Sequence, residues 1–424
     1  MTLFEIKSNI NNGKYDEQFE MLYSDALKAR ERFISACDEY EKLYGECQNV
    51  RIFSAPGRTE VGGNHTDHQH GCVVAGGVDM DVIAIVGEND DNVIRIKSKG
   101  YNMDTVNVGE FEKCDKENGR AISLIRGVCA KYAEMGYAIG GFNAYTTSNV
   151  LKGSGLSSSA AFEVLVANIL NGLFAENKVS EIDIAKISQF AEREYFGKPC
   201  GLLDQMASSL GGFTYADFHN PQEPVTEKID LDIRKFGYTL CVVDTGGNHA
   251  NLTQDYADIT IECKQISNAL GVEFLRDADV DKFYASLASL RKEFGERAVL
   301  RAFHFFNEQE RVLKQREALL NGEFEEFLKL VNESGQSSYD YLQNLYSTTA
   351  VKEQGLSLGI ALTKQFLNGE GACRVHGGGF AGTIQCYIPT ARLADYKQMI
   401  EAVYGENSCS VLSIRPVGGY EIEL

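Results

Sequence analysis

A run of Gly-Ser-Gly-Leu-Ser-Ser-Ser-Ala at residues 153–160 leads straight into an apolar segment, and it constrains the fold more than any other stretch. Gly153 and Gly155 admit positive φ and close backbone approach. The N–H groups of Gly153, Ser154, Gly155, Leu156, Ser157, Ser158 and Ser159 can therefore converge on one anion. Ala160, Phe162, Val164, Leu165, Ala167, Ile169 and Leu170 continue as a buried helix starting near Ser157, and its positive dipole end faces the same anion. This is not a Walker loop, because Leu156 stands where that motif requires a lysine after the second glycine. A phosphate cradle here works from backbone, helix dipole and hydroxyls. The serines can cap the helix and also ligate a phosphate-bound Mg2+. Taken alone, any small-residue turn before a helix has the same look.

A chain of 424 residues exceeds the size at which one core usually stops growing, so two domains are expected. A hydrophobic content of 44% is ample for packed cores. No apolar run approaches the ~18 to 20 residues of a membrane span, and residues 1–13 are too polar for a signal peptide. The eleven cysteines are odd in number, scattered, and never spaced Cys-x-x-Cys, which fits reduced thiols in a cytoplasmic protein. A formal net charge of −19 argues against nucleic acid as a partner. It does not exclude an anionic small substrate.

Along the chain, residues 15–44 carry apolar positions at steps of four and three, which predicts one amphipathic helix. Strands are expected at 50–54, 72–86 and 93–97, a helix at 121–135, a strand at 142–147, the serine-turn helix to about 176, and a further helix at 180–195. The polar, proline-containing stretch 219–227 is the most plausible boundary, followed by a strand at 238–243 and a helix-rich second half. The expectation is an α+β chain with domains at 1–225 and 226–424 and the site in the cleft between them.

Three further constellations carry chemistry. Residues 55–71 form a loop crowded with polar groups, in which Glu60, Asn64, His65 and Asp67 can hydrogen-bond the hydroxyls of a sugar while Arg58 offsets charge on a transferring phosphoryl group. A metal site at His65, His68 and His70 and a plain polar turn capped by Asn64 and Asp67 are the alternatives. In residues 191–206, Asp204 is flanked by apolar residues, which suits a partly buried base for a hydroxyl nucleophile. Glu192 is a candidate Mg2+ ligand; a helix N-cap and a solvated helix face are the ordinary readings of these two carboxylates. Residues 372–383 hold the triple glycine Gly377, Gly378 and Gly379 between strand-like segments, where backbone of one domain can approach the other. An ordinary glycine-rich hairpin reads the same way.

Together these motifs resemble the GHMP small-molecule kinase superfamily, and within it the galactokinase family, from about residue 50 to the C-terminus. The family's sugar signature Gly-Arg-x-Asn-Leu-Ile-Gly-Glu-His-Thr-Asp-Tyr lines up with residues 57–68. Its Gly-x-Gly-Leu-Ser-Ser-Ser loop lines up with residues 153–159, and its Gly-Ile-Met-Asp-Gln segment with residues 201–205. Its Gly-Gly-Gly-Phe-Gly-Gly segment lines up with residues 377–382, where Ala381 is substituted. The resemblance implies a ribosomal-S5-like N-terminal domain and a ferredoxin-like C-terminal domain with ATP and sugar between them. It further implies Asp204 as catalytic aspartate, Arg58 as transition-state stabiliser, Ser159 and Glu192 as Mg2+ ligands, and sugar contacts from His65, Asp67 and Tyr256. Phosphorylation of galactose at its anomeric hydroxyl is the implied activity.

The sugar signature departs from the family in one instructive way: Glu60 and Asn64 exchange the family's amide and carboxylate. An amide donates as well as accepts, so Glu60 is expected to compensate, or else the substrate is another sugar such as N-acetylgalactosamine, arabinose or a uronic acid. His68 replaces the family tyrosine and Gly62 the isoleucine. A catalytically silent ATP and galactose sensor is the remaining alternative, and the intact serine loop and Asp204 weigh against it. The added N-terminal helix, about residues 15–45, is expected to serve packing or dimerisation, so the chain is a monomer or a homodimer.

Overall fold

The computed structural model describes residues 1–23, 25–150, 155–247 and 252–423. Among these residues the strands make two sheets. The first is built from Arg51–Gly62 (β1), Cys72–Asn89 (β2), Val93–Ser98 (β3), Met103–Asn107 (β4), Gly141–Ser148 (β5), Phe213–Asp217 (β6) and Val225–Ile229 (β7). Its path runs β1-β2-β5-β3-β4, with β6 paired to β2 and β7 to β6.

Strand alternation decides what covers this sheet, because successive side chains leave opposite faces. Ile83 and Ile85 of β2 face one way, with Ile52 and Tyr145. Val82, Ala84 and Val86 face the other. Three N-terminal helices, Leu3–Asn11 (α1), Asp16–Leu22 (α2) and Ala26–Tyr44 (α3), cover the first face through Phe19, Phe33 and Tyr40. The rings of Phe19 and Phe33 stack 4.8 Å apart. Each such buried aromatic contributes about 1.5–3 kcal/mol, so this layer belongs to the core of the domain. Helices Ala121–Glu134 (α4), Ser158–Phe174 (α5) and Glu181–Phe190 (α6) cover the other face, through residues such as Val128, Tyr132, Val164 and Ile184. A short helix, Leu203–Leu210 (α7), precedes β6.

The second sheet holds Tyr238–Asp244 (β8), Ala372–His376 (β9), Thr383–Pro389 (β10) and Cys409–Leu412 (β11), antiparallel throughout and ordered β11-β8-β10-β9. Counted from its own first strand, that order is 4-1-3-2, the ferredoxin-like arrangement. Among the described residues, six α-helices are inserted between β8 and β9, including Thr253–Ala269, Glu296–Asn321, Phe324–Ser337 and Gly355–Leu367. The α+β two-domain reading therefore stands.

Three expectations change. Residues 55–62 are strand, not loop: β1 runs on to Gly62 against β2, with register shifts between Pro56 and Arg58 and between Glu60 and Gly62. Backbone pairing satisfies the main chain whatever the polarity of its side chains, and the shifts re-aim Arg58 and Glu60. The boundary at 225 falls inside a hairpin, because β7 pairs with β6 from Asp217–Val225 to Phe213–Ile229. A last strand, Tyr420–Ile422 (β12), returns to pair with β1, so the end of the chain belongs to the first sheet. The single N-terminal helix is two helices separated at an extended Tyr23, and Asp25 caps the second by accepting from Lys28 N. A Thr2–Glu5 capping box starts α1 ahead of them.

Candidate active site

The serine turn lies where the two sheets meet. Gly155 has φ +69°, and a Cβ there would sit 2.8 Å from Thr383 Oγ1 and 2.9 Å from His376 Nδ1, so β9 and β10 pack against its bare backbone. A Cβ on Gly57 would come within 2.7 Å of Leu156 O, and the neighbouring Arg58 N donates to that carbonyl at 3.1 Å. The turn is thereby clamped between β1 and the second sheet. Gly153 and Ser154 lie outside the described residues. Ser157 is the N-cap residue of α5 in a left-handed conformation, φ 54°, yet its hydroxyl does not cap the helix. It donates instead to Asp204 Oδ2 at 2.5 Å.

Asp204 sits in the first turn of α7 with its side chain 31% exposed. Arg58, nearly buried, donates to Asp204 Oδ1 through Nε at 2.7 Å, and its Nη1 donates to Gly155 O. Burial raises the Asp204 pKa, but the Arg58 charge and the Ser157 hydroxyl outweigh it and hold the carboxyl below its ordinary value. The result is an ionised carboxylate, anchored on one side and open on the other, beside the N-terminus of α5. That can orient or accept a proton from a hydroxyl.

Glu192 lies in a π-helical turn, Ala191–Phe196, that extends α6. Its Oε1 accepts from Ser159 Oγ at 3.0 Å and from Lys198 Nζ at 2.7 Å, and its Oε2 from Gln205 Nε2 at 2.7 Å. Glu163, fully buried, accepts from the same Gln205 nitrogen at 3.2 Å. Burial, and then the Glu192 charge, push the Glu163 carboxyl well above its usual range. Among the described residues its Oε1 finds no partner. One carboxylate and one hydroxyl beside a phosphate turn fit a hard cation that takes its remaining ligands from phosphate and water. No cluster of three or more His, Cys, Asp or Glu able to cage a metal by protein alone occurs among the described residues.

The histidines of the sugar loop disperse. His65, with φ 57°, donates from Nε2 to Gly378 O at 2.9 Å, and His70 stacks on Phe274 at 3.6 Å between ring centres. Asp67 presses against backbone: a Cβ on Gly201 would fall 1.7 Å from Asp67 Oδ2. Burial pushes its carboxyl up to about 6, with the charges of Asp204 and Glu60 adding to the rise and His65 opposing it. Tyr256 donates to Gly379 O at 2.7 Å, and its ring covers Gly378, where a Cβ would meet Cε1 at 2.6 Å. Gly377 and Gly379 both take positive φ, which only glycine adopts freely, and Gly377 lies beside Gly155. Arg58, Asp204, Ser157, Ser159, Glu192, His65, Asp67, Tyr256 and the triple glycine thus share one junction.

Glu60 and Asn64 do not face that junction in the expected way. Asn64 is fully buried; its Nδ2 donates to Glu60 Oε1 at 2.7 Å and Gly377 O at 2.8 Å, and its Oδ1 accepts from Asn344 Nδ2 at 2.8 Å. Glu60 also accepts from the buried Arg374 Nη2 at 2.9 Å. The exchanged pair is an internal tie between sugar loop and triple glycine, stabilised by an arginine from the other sheet. Arg374 and Lys198 escaped the reading of the sequence. Arg374 had one local signal, its place in a strand leading to the triple glycine; Lys198 had only its nearness to Glu192.

The fold and the junction define a small-molecule kinase of the GHMP type, and the chain matches the family profile "GHMP kinases N terminal domain" over residues 123–212. It also matches the "Galactokinase galactose-binding signature" over residues 38–88. A galactokinase of Thermotoga petrophila is 32% identical over 331 residues, covering 78% of this chain and 87% of that protein. One of Clostridium tetani is 29% identical over 375 residues, covering 87% and 91%. Galactokinase of Lactococcus lactis, solved in complex with galactose, shares the fold with a TM-score of 0.76 at 22% identity, over 90% of this chain and 98% of that one. The chain belongs to the galactokinase family.

Proposed function

We propose that this protein transfers the γ-phosphoryl group of ATP to the anomeric hydroxyl of D-galactose, giving α-D-galactose 1-phosphate. The observation that carries the reading is Asp204, a half-open, ionised carboxylate held by Arg58 and Ser157 where phosphate turn, sugar loop and triple glycine converge. Asp204 orients and accepts the proton of the sugar hydroxyl, and Arg58 takes charge from the transferring group. Asp67, Tyr256 and His65 line the sugar side; the N–H groups of residues 155–159 and the dipole of α5 receive phosphate. Bound Mg2+ would neutralise phosphate charge, with Ser159 Oγ and Glu192 Oε1 as the protein oxygens. One chain supplies every group, so a monomer suffices. All eleven cysteines are free thiols, and no described helix is long and apolar enough to cross a membrane; both fit a cytoplasmic enzyme.

The inward turn of Asn64 favours a second reading, a 1-kinase for a related sugar, because a contact expected from position 64 is spent on protein groups. An ADP-release assay with galactose, N-acetylgalactosamine, arabinose, galacturonate and glucose separates the two, with the phosphorylated carbon located by NMR. Preference for galactose with phosphate on C1 is the expected result. Turnover of a different sugar alone would move the assignment, and silence with all five would favour a sensor.

A further inference from the structure

Residues 153–159 include no lysine, yet the fold delivers one to the edge of the helix that follows them. Lys198 follows Gly197, a residue with φ +83° that ends the π-helical turn, and its Nζ lies 2.7 Å from Glu192 Oε1. The same oxygen accepts from Ser159, in the first turn of α5, so the ammonium stands at the mouth of the helix that faces the phosphates. Leu156, where a Walker lysine would stand, is buried and has no charge to offer. On this flank the carboxylates of Glu192 and Asp204 gather, while Arg58 is committed to Asp204 and Gly155 O. A triphosphate approaching α5 from here meets negative charge, and among the described side chains of this flank Lys198 is the cation not committed to Asp204. Its side chain is 53% exposed, and the buried Glu192 keeps donors from Ser159 and Gln205 when the ammonium leaves, so Lys198 can be redirected without stranding that carboxylate.

We propose that Lys198 is the phosphate-binding cation of this site, resting on Glu192 when no nucleotide is present and turning to the phosphate oxygens of ATP when it binds. The inference rests on the kinase reading above. On Glu192 the ammonium holds the oxygen suited to a hard cation; released, it remains beside the phosphates that such a cation would bridge. Lys198 thereby supplies from the π-helical turn the charge that the glycine turn omits.

Calorimetry with metal-free ATP in EDTA tests this, using the full chain and its Lys198→Met and Lys198→Arg variants, with galactose binding and thermal unfolding measured in parallel. Lys198→Met is expected to weaken metal-free ATP about tenfold or more and to flatten the dependence of affinity on KCl. Lys198→Arg should stay within about threefold of the parent, and galactose affinity and melting temperature should not move. Unchanged or tighter ATP binding by Lys198→Met overturns the proposal, as does a loss matched by lost galactose affinity or a lowered melting temperature. If the parent binds ATP neither in EDTA nor with Mg2+, the kinase reading falls together with the inference; if the parent binds ATP only with Mg2+, or if Lys198→Met binds as well as the parent, only the inference falls.

Discussion

Two carboxylates of the first domain, Asp81 and Asp204, are each held below the ordinary aspartate range by arginine, and they serve opposite ends. Asp81 is fully buried, and its oxygens accept from Tyr23 Oη at 2.5 Å, Arg32 Nη1 at 2.5 Å, Arg415 Nη1 at 3.2 Å and the Ser54 hydroxyl. Burial raises its pKa, and Arg32 and Arg415 more than reverse that. Those partners come from the N-terminal helices, from β1 and from the returning tail. Arg32 also donates to the carbonyls of Asp81 and Thr147, and Asp81 N donates to Asn149 Oδ1, so the cluster reaches the strand that leads toward the phosphate turn. Asp204 has two side-chain partners and keeps an open side. A carboxylate whose lone pairs are all taken by protein holds structure; one with lone pairs to spare can offer them to a substrate proton, the role proposed for Asp204. Glu60 and Asn64 fall on the side of Asp81, which is why the exchange in the sugar signature alters a tie between domains before it alters chemistry.

The largest effect should come from opening the comparison at Asp204. Asp204→Asn keeps shape and removes the charge, and turnover is expected to fall by about 10²–10⁴-fold with nucleotide affinity nearly unchanged, read by ADP release and calorimetry. Activity near the parent's would remove Asp204 from the role of base. Asp81→Ala strands Arg32 and Arg415 without their counter-charge, and breaking a buried pair in this way costs about 3–5 kcal/mol. Urea unfolding should show that loss, while the KM for sugar in the folded fraction stays close to the parent value. Asn64→Ala removes the side-chain donor of Gly377 O and one of the donors to Glu60, while the Asn344 amide keeps Gly378 O, a loss of about 1–3 kcal/mol. Sugar KM should rise with it, since the triple glycine is no longer tied to the sugar loop; a stability loss with no change in KM would confine Asn64 to the fold.

The smallest effect concerns pH. Asp67 titrates at about 6 in the folded protein against 3.8 for an ordinary aspartate, so between those values the native state holds the extra proton. Its ionised form is penalised by folding: the penalty is full above about 6, shrinks as pH falls through 6, and vanishes below 3.8. Asp67→Asn should therefore be more stable than the parent at pH 7.5, by about 1–2 kcal/mol after allowance for its partial exposure, with the advantage fading toward pH 4. An advantage independent of pH would show that packing, and not ionisation, sets the difference.

Much of the fold and part of the site could be read before any coordinates. The glycine-serine turn, the apolar helix after it, and the order of the four motifs are local patterns, and local patterns survive without knowledge of packing. The expected strand at 93–97 and helix at 121–135 match β3 and α4 within a residue. The loop at 55–62 was misread because polar side chains conceal a strand whose partner is β2. The break at Tyr23 was misread because the periodicity runs through it; the pull comes from Asp81, 58 positions away.

The amino-acid sequence by itself determined the family and singled out the glycine-serine turn, Arg58 and Asp204 as candidates, since each depends on residue types at short spacing. Only the tertiary structure decided which polar groups face the junction. Arg374 meets Glu60 across 314 positions, Asn344 meets Asn64 across 280, and Lys198 meets Glu192 through a π-helical turn that no periodicity announces. Whether a buried carboxylate is consumed by the fold or left for a substrate depends on how many donors surround it, and those donors are assembled only when distant strands and helices pack together.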